Sequence, residues 1–75
     1  MVKVVIMDQE RRVFDNQARQ ISLPGVDGEF AVLDLHAPMI SVLKAGRILV
    51  DGRYLAISRG IAMVQRNELV VLVER

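Results

Sequence analysis

Short apolar runs alternate with polar positions along this chain and are broken at near-regular intervals by turn-forming residues. Successive side chains of an extended strand point to opposite faces, so a period of two bounded by Gly, Pro, Asn or Asp predicts strands. Nine segments fit: Val2 to Met7, Arg12 to Phe14, Ala18 to Leu23, Glu29 to Val32, Ile40 to Leu43, Arg47 to Asp51, Arg53 to Ser58, Ile61 to Gln65 and Glu68 to Glu74. No long segment has the spacing of an amphipathic helix, and there is neither a linker nor an internal repeat. The pattern predicts one all-β domain, a β-sandwich of two antiparallel sheets with about nine or ten short strands.

The predicted breaks are Asn16, Pro24-Gly25, Asp27-Gly28, Ala45-Gly46, Asp51-Gly52, Gly60 and Asn67. Pro24 fixes φ near the value wanted at the second position of a turn and Gly25 tolerates the positive φ that follows, so a sharp bend is expected there. Asp51-Gly52 lies between Ile48-Leu49-Val50 and Tyr54-Leu55-Ala56-Ile57, and a two-residue hairpin turn wants positive φ at both central positions. It is the strongest hairpin signal in the chain.

Several predicted strands fail to alternate cleanly. Val4-Val5-Ile6-Met7, Ile48-Leu49-Val50, Ile61-Ala62-Met63-Val64 and Leu69-Val70-Val71-Leu72-Val73 are apolar on both faces, and hydrophobic residues make up 52% of the chain. A sandwich with both outer faces in water would read apolar inward and polar outward. One outer face is therefore expected to be covered by something outside the domain. A charge introduced at Val71 is the corresponding probe. The alternative is that a small domain simply spends every apolar residue it has on its own packing.

Composition narrows the picture further. A chain of 75 residues makes a single domain with no room for a large internal cavity, and folding hides only about 60% of its unfolded surface. It contains no cysteine, which removes disulfides, thiolate metal sites and a cysteine nucleophile. Ten basic and nine acidic side chains give a net charge of +1 and are interleaved, so no basic tract addresses nucleic acid. One tyrosine and two phenylalanines are too few for a base-stacking platform. The longest apolar runs fall far short of the roughly 20 residues of a membrane helix, and the N-terminus lacks a signal-peptide pattern.

Candidate chemistry concentrates between Leu23 and Pro38, which holds two turn signals, a short apolar run and the only histidine. Ser22, Ser41 and Ser58 share that one histidine and none sits in a nucleophile elbow, so serine-type catalysis is not indicated. No Gly-Lys-Ser/Thr follows the glycine-bearing turns, which argues against a phosphate-cradling loop. Asp27, Glu29, Asp34 and His36 lack the second histidine of a facial triad and the spacing of a calcium loop, so no metal or other cofactor is expected. An enzyme using His36 with Asp34 or Glu29 is the remaining catalytic reading, and a histidine bonded across its own loop before Pro38 is the plainer one.

The order Pro24-Gly25, Asp27-Gly28-Glu29-Phe30, Val32-Leu33, His36-Ala37-Pro38 resembles the signature loop of the ATP synthase epsilon chain family, in its N-terminal β-sandwich domain. Arg12-Val13-Phe14 resembles the family's opening hairpin. Leu43-Lys44-Ala45-Gly46-Arg47-Ile48, Leu55-Ala56-Ile57-Ser58-Arg59-Gly60 and Ala62-Met63-Val64-Gln65-Arg66-Asn67 follow in the family's order, so the resemblance covers nearly the whole chain and implies one such domain over residues 1–75. The chain departs from it at Asp34-Leu35, where the family has Pro-Gly, and at Arg59, where it has Gly.

The resemblance implies a non-catalytic central-stalk subunit of a proton-translocating F-type ATP synthase, which links the gamma chain to the membrane c-ring and couples proton flow to ATP synthesis. It implies a peripheral position on the cytoplasmic side of a bacterial inner membrane, or the equivalent organelle face. Carried over by position, Glu29, Phe30, Asp34 and His36 would face the c-ring. Met39, Ile40 and Leu43 would lie near gamma, unless they are ordinary core. The family's C-terminal helical hairpin has no counterpart here, so no nucleotide binding is expected. A stand-alone β-sandwich adaptor that recruits a partner by strand addition is the alternative.

Overall fold

Each of the nine apolar segments forms a strand in the computed structural model, which describes residues 1–75. They are β1 (Val2–Met7), β2 (Arg12–Ala18), β3 (Gln20–Gly25), β4 (Gly28–Leu33), β5 (Met39–Leu43), β6 (Gly46–Val50), β7 (Arg53–Ile57), β8 (Arg59–Gln65) and β9 (Glu68–Glu74). Hydrogen bonding links them in the order β2-β1-β9-β8-β5-β3-β6-β7, with β4 on the free side of β3.

The β5–β3 step is a corner. It consists of one Cα pair, Gly25 with Leu43, flanked by backbone bonds from Val26 N–H to Val42 O at 3.0 Å and from Lys44 N–H to Pro24 O at 2.9 Å. The sheet folds over at this point into two layers, β2-β1-β9-β8-β5 and β4-β3-β6-β7. One apolar cluster joins them: Val4, Ile6, Val64, Leu69 and Val71 come from the first layer, and Ile21, Leu23, Val32, Ile48 and Val50 from the second. No polar or charged side chain is buried, so the hydrophobic effect holds the layers together without a buried polar network.

The antiparallel expectation holds for every pair but one. β1 and β9 run parallel, Val4 beside Leu69 and Ile6 beside Val71. Parallel neighbours need a long crossover, and here nearly the whole sandwich provides it.

Three expected breaks fall inside strands. Asn16 pairs with Val4 in edge strand β2, where its polar side chain stays in water. Pro24-Gly25 ends β3, and the reversal comes one step later at Val26-Asp27, with Gly25 opposite Gly28. Pro24 O accepts from Lys44, so its ring nitrogen points the same way, into the corner where β3 leaves β6 for β5 and no ladder N–H is required. Gly25 is needed for closeness: a Cβ there would stand 2.7 Å from Gly28 O and 3.0 Å from the Phe30 ring. Gly60 lies within β8 opposite Val73, and the break before it is Ser58. Asp51-Gly52 behaves as expected, with φ of 47° and 87°.

Candidate partner-binding faces

The outer face of the first layer is apolar across four strands. Ile40 on β5 pairs with Met63 on β8, Met63 with Val70 on β9, and Val70 with Val5 on β1. Two residues along, Val42 pairs with Ile61, Ile61 with Leu72, and Leu72 with Met7. Two straight rows of apolar side chains thus cross the sheet, over about 14 Å at the usual strand spacing. Ile40, Val42, Ile61, Met63 and Leu72 are all exposed. Met7, Val42, Ile61 and Leu72 line a shallow groove, and Arg59 and Glu74 stand at its edge as an ion pair. The hydrogen bond from Arg59 holds the Glu74 carboxyl below its ordinary range.

Apart from Ile40 and Val42 on β5, these side chains come from the doubly apolar segments, but alternation alone did not reveal which member of each points outward. Val71, the position suggested for a surface charge, is 0% exposed in the core, and Leu72 takes the outer place. Of the three residues placed near gamma, Ile40 is 72% exposed, while Leu43 is 1% exposed and Met39 packs against the core. The bland reading holds for Leu43, which faces inward because it shares the inner side of β5 with Met39. Val42 was missed; its signal was its position two residues after Ile40.

Glu29, Phe30, Asp34 and His36 do not converge. Glu29 and Asp34 stand at opposite ends of β4, separated by about 16 Å of extended chain. Phe30 turns inward against the core. At one end, the Val26-Asp27 turn and Glu29 are exposed, and neither carboxylate forms a side-chain hydrogen bond or ion pair within the chain.

At the other end, Asp34 is engaged internally. Its Oδ1 accepts from Asn67 Nδ2 at 2.7 Å and from the Met1 ammonium at 3.2 Å. Those bonds, the Asn67 one foremost, hold its carboxyl below the ordinary value. His36 is half-buried, with Nδ1 2.7 Å from Ala37 O and its N–H donating to Leu33 O at 3.2 Å. Between them Leu35 holds a φ of 62° at the position where the resemblance has glycine. No group of three or more acidic or histidine side chains comes together anywhere in the chain.

The family described as "ATP synthase, Delta/Epsilon chain, beta-sandwich domain" matches residues 1–75. The chain is 37% identical over 78 residues to the ATP synthase epsilon chain of Campylobacter fetus subsp. fetus (strain 82-40), with 97% of this chain and 60% of that one covered. It is 38% identical over 79 residues to that of Synechococcus sp. (strain JA-2-3B'a(2-13)), with 100% of this chain and 56% of that one covered. The chain thus spans little more than half the length of these relatives. Its fold matches a chain of the Tetrahymena thermophila mitochondrial ATP synthase central stalk and c-ring structure, with a TM-score of 0.83, 12% identity, and 99% of this chain and 63% of that one covered. A chain of the Euglena gracilis mitochondrial ATP synthase structure, containing OSCP, F1 and c-ring, superposes with a TM-score of 0.89 at 20% identity, covering 99% of this chain and 51% of that one.

Proposed function

The chain belongs to the ATP synthase delta/epsilon chain β-sandwich family, and from that premise we propose that it is a non-catalytic central-stalk element that links the gamma chain to the c-ring. A torque-transmitting part needs a body that does not deform and two separate contact surfaces. The closed two-layer core supplies the body. The apolar face built from Ile40, Val42, Ile61, Met63 and Leu72 is the surface for gamma, and it is the observation that carries this reading. An exposed apolar sheet face of this extent is unfavourable in water and is stabilised when a partner covers it.

The c-ring contact belongs at the Val26-Asp27 turn. The Asp27 and Glu29 carboxylates make no side-chain bond within the chain there, whereas the Asp34 and His36 side chains at the other end are bonded internally. Glu29 therefore keeps its assignment toward the c-ring, and Phe30, Asp34 and His36 act by shaping the domain. The assembled complex would sit on the cytoplasmic face of a bacterial membrane or its organelle equivalent.

Strand addition is the less suitable reading. The free edges carry Arg12 and Asp15 on β2, Glu29 on β4 and Arg53 on β7, and edge charges discourage such pairing. Co-purification with an F-type gamma chain tests the proposal. A one-to-one complex that Ile61→Glu abolishes, in a variant that still folds, is the expected result. A complex with extended peptides and none with gamma would transfer the case to the adaptor.

A further inference from the structure

Asn67 forms the second half of the Arg66-Asn67 turn between β8 and β9, with φ of 53° and 59° at the two residues. Its side chain reaches a different part of the fold. Oδ1 accepts from Leu35 N–H at 2.8 Å, and Nδ2 donates to Asp34 Oδ1 at 2.7 Å and to Met1 O at 2.8 Å. Its main-chain O accepts from Lys3 N–H at 3.2 Å. One residue thus ties the β8–β9 turn to the start of β1 and to the loop after β4. That loop has a reason to need holding. Leu35 is 84% exposed and adopts a left-handed backbone that an L side chain disfavours, so neither burial nor local preference keeps it in place.

We propose that Asn67 is the positioning residue of loop 34–38, fixing through its side-chain amide the conformation in which this loop enters β5. The first outward side chain of β5 is Ile40, the most exposed member of the apolar face. His36, Ala37 and Pro38 lead directly into it, so the loop sets where that border of the face lies. The proposal rests on the reading of this face as the seat of gamma.

Asn67→Gly is the discriminating variant, because glycine accepts the positive φ and leaves the turn intact while removing the amide. Amide hydrogen exchange should quicken about tenfold or more at Leu35 and His36 while the β8–β9 ladder keeps its protection. Gamma affinity should fall roughly fivefold, the loop now being ordered in only a fraction of molecules. Adding Leu35→Gly should restore part of that affinity by removing the conformational strain, which a general weakening of the sheet at residue 67 would not permit. Asn67→Asp, which sets a second carboxylate against Asp34 where the amide donated at 2.7 Å, should lose the protection at Leu35 as fully as Asn67→Gly, because the like charges repel. Unchanged exchange at Leu35 and His36, or an equal rise throughout β8 and β9, would overturn the proposal. Failure of the unsubstituted chain to bind gamma would overturn the functional reading alone, because the exchange rates test the loop without any partner.

Discussion

Leu35, Asp51, Arg66 and Asn67 hold positive φ without being glycine. Asp and Asn tolerate this conformation because their short polar side chains bond locally, and leucine does not. Relief of strain of about 1–2 kcal/mol, offset by about 0.5–1 kcal/mol for glycine's extra freedom in the unfolded chain, predicts that Leu35→Gly raises stability by up to about 1.5 kcal/mol in urea unfolding.

Asp51 accepts from the N–H groups of Arg19 and Gln20 at 3.0–3.1 Å, and these bonds hold it below its ordinary value of 3.8. Asp8, Asp34 and Glu74 are lowered in the same direction, chiefly by the Glu10 N–H, the Asn67 amide and the Arg59 guanidinium respectively. Groups that are stronger acids when folded stabilise the fold above their unfolded pKa, and that contribution disappears as pH falls through the lower folded values. Thermal melts should therefore show stability falling below about pH 4, with a shallower fall in Asp51→Asn. A melting temperature that stays flat from pH 7 to pH 3 in the unsubstituted chain would refute this assignment.

At the scale of elements, close approach of backbones decides what a position tolerates. A Cβ on Gly60 would lie 2.6 Å from Leu72 O and 3.2 Å from Val73 Cγ1, so Gly60→Ala must push β8 away from β9. Overpacking of this kind costs about 1–3 kcal/mol, measurable by urea unfolding. All nine strands are legible from alternation and turn residues, yet Gly60, Asn16 and Pro24-Gly25, which residue preference marks as breaks, lie within strands. Residue preference reports only what a position allows. Whether a glycine is a bend or a point of contact depends on the strand that comes to lie beside it.

For the whole molecule, faces are what matter. Val71→Glu places a charge in the apolar core and should prevent folding at ordinary temperature. Ile61→Glu should fold, give an ordinary thermal transition, and lower gamma affinity by at least about 30-fold if Ile61 is a central anchor. Glu29→Lys should weaken association with the c-ring several-fold, more at low salt than at high salt, and leave gamma binding unchanged. A loss of gamma binding in Glu29→Lys equal to that in Ile61→Glu would mean that the two surfaces are not separate.

The amino-acid sequence by itself determined the all-β class, the number of strands, the Asp51-Gly52 hairpin and the surplus of apolar residues beyond what one core can use. These are local or compositional properties, set by side-chain periodicity, turn preferences and the balance of apolar to polar positions. Only the tertiary structure decided which apolar residues face outward, because that depends on the register that sets Ile40 beside Met63 and Ile61 beside Leu72. It also separated Glu29 from His36, which the sequence holds close together but β4 carries to opposite ends. And it brought Asn67 to Asp34 and Leu35 across 33 and 32 positions of chain, a contact made by the packing of two layers and written in no local pattern.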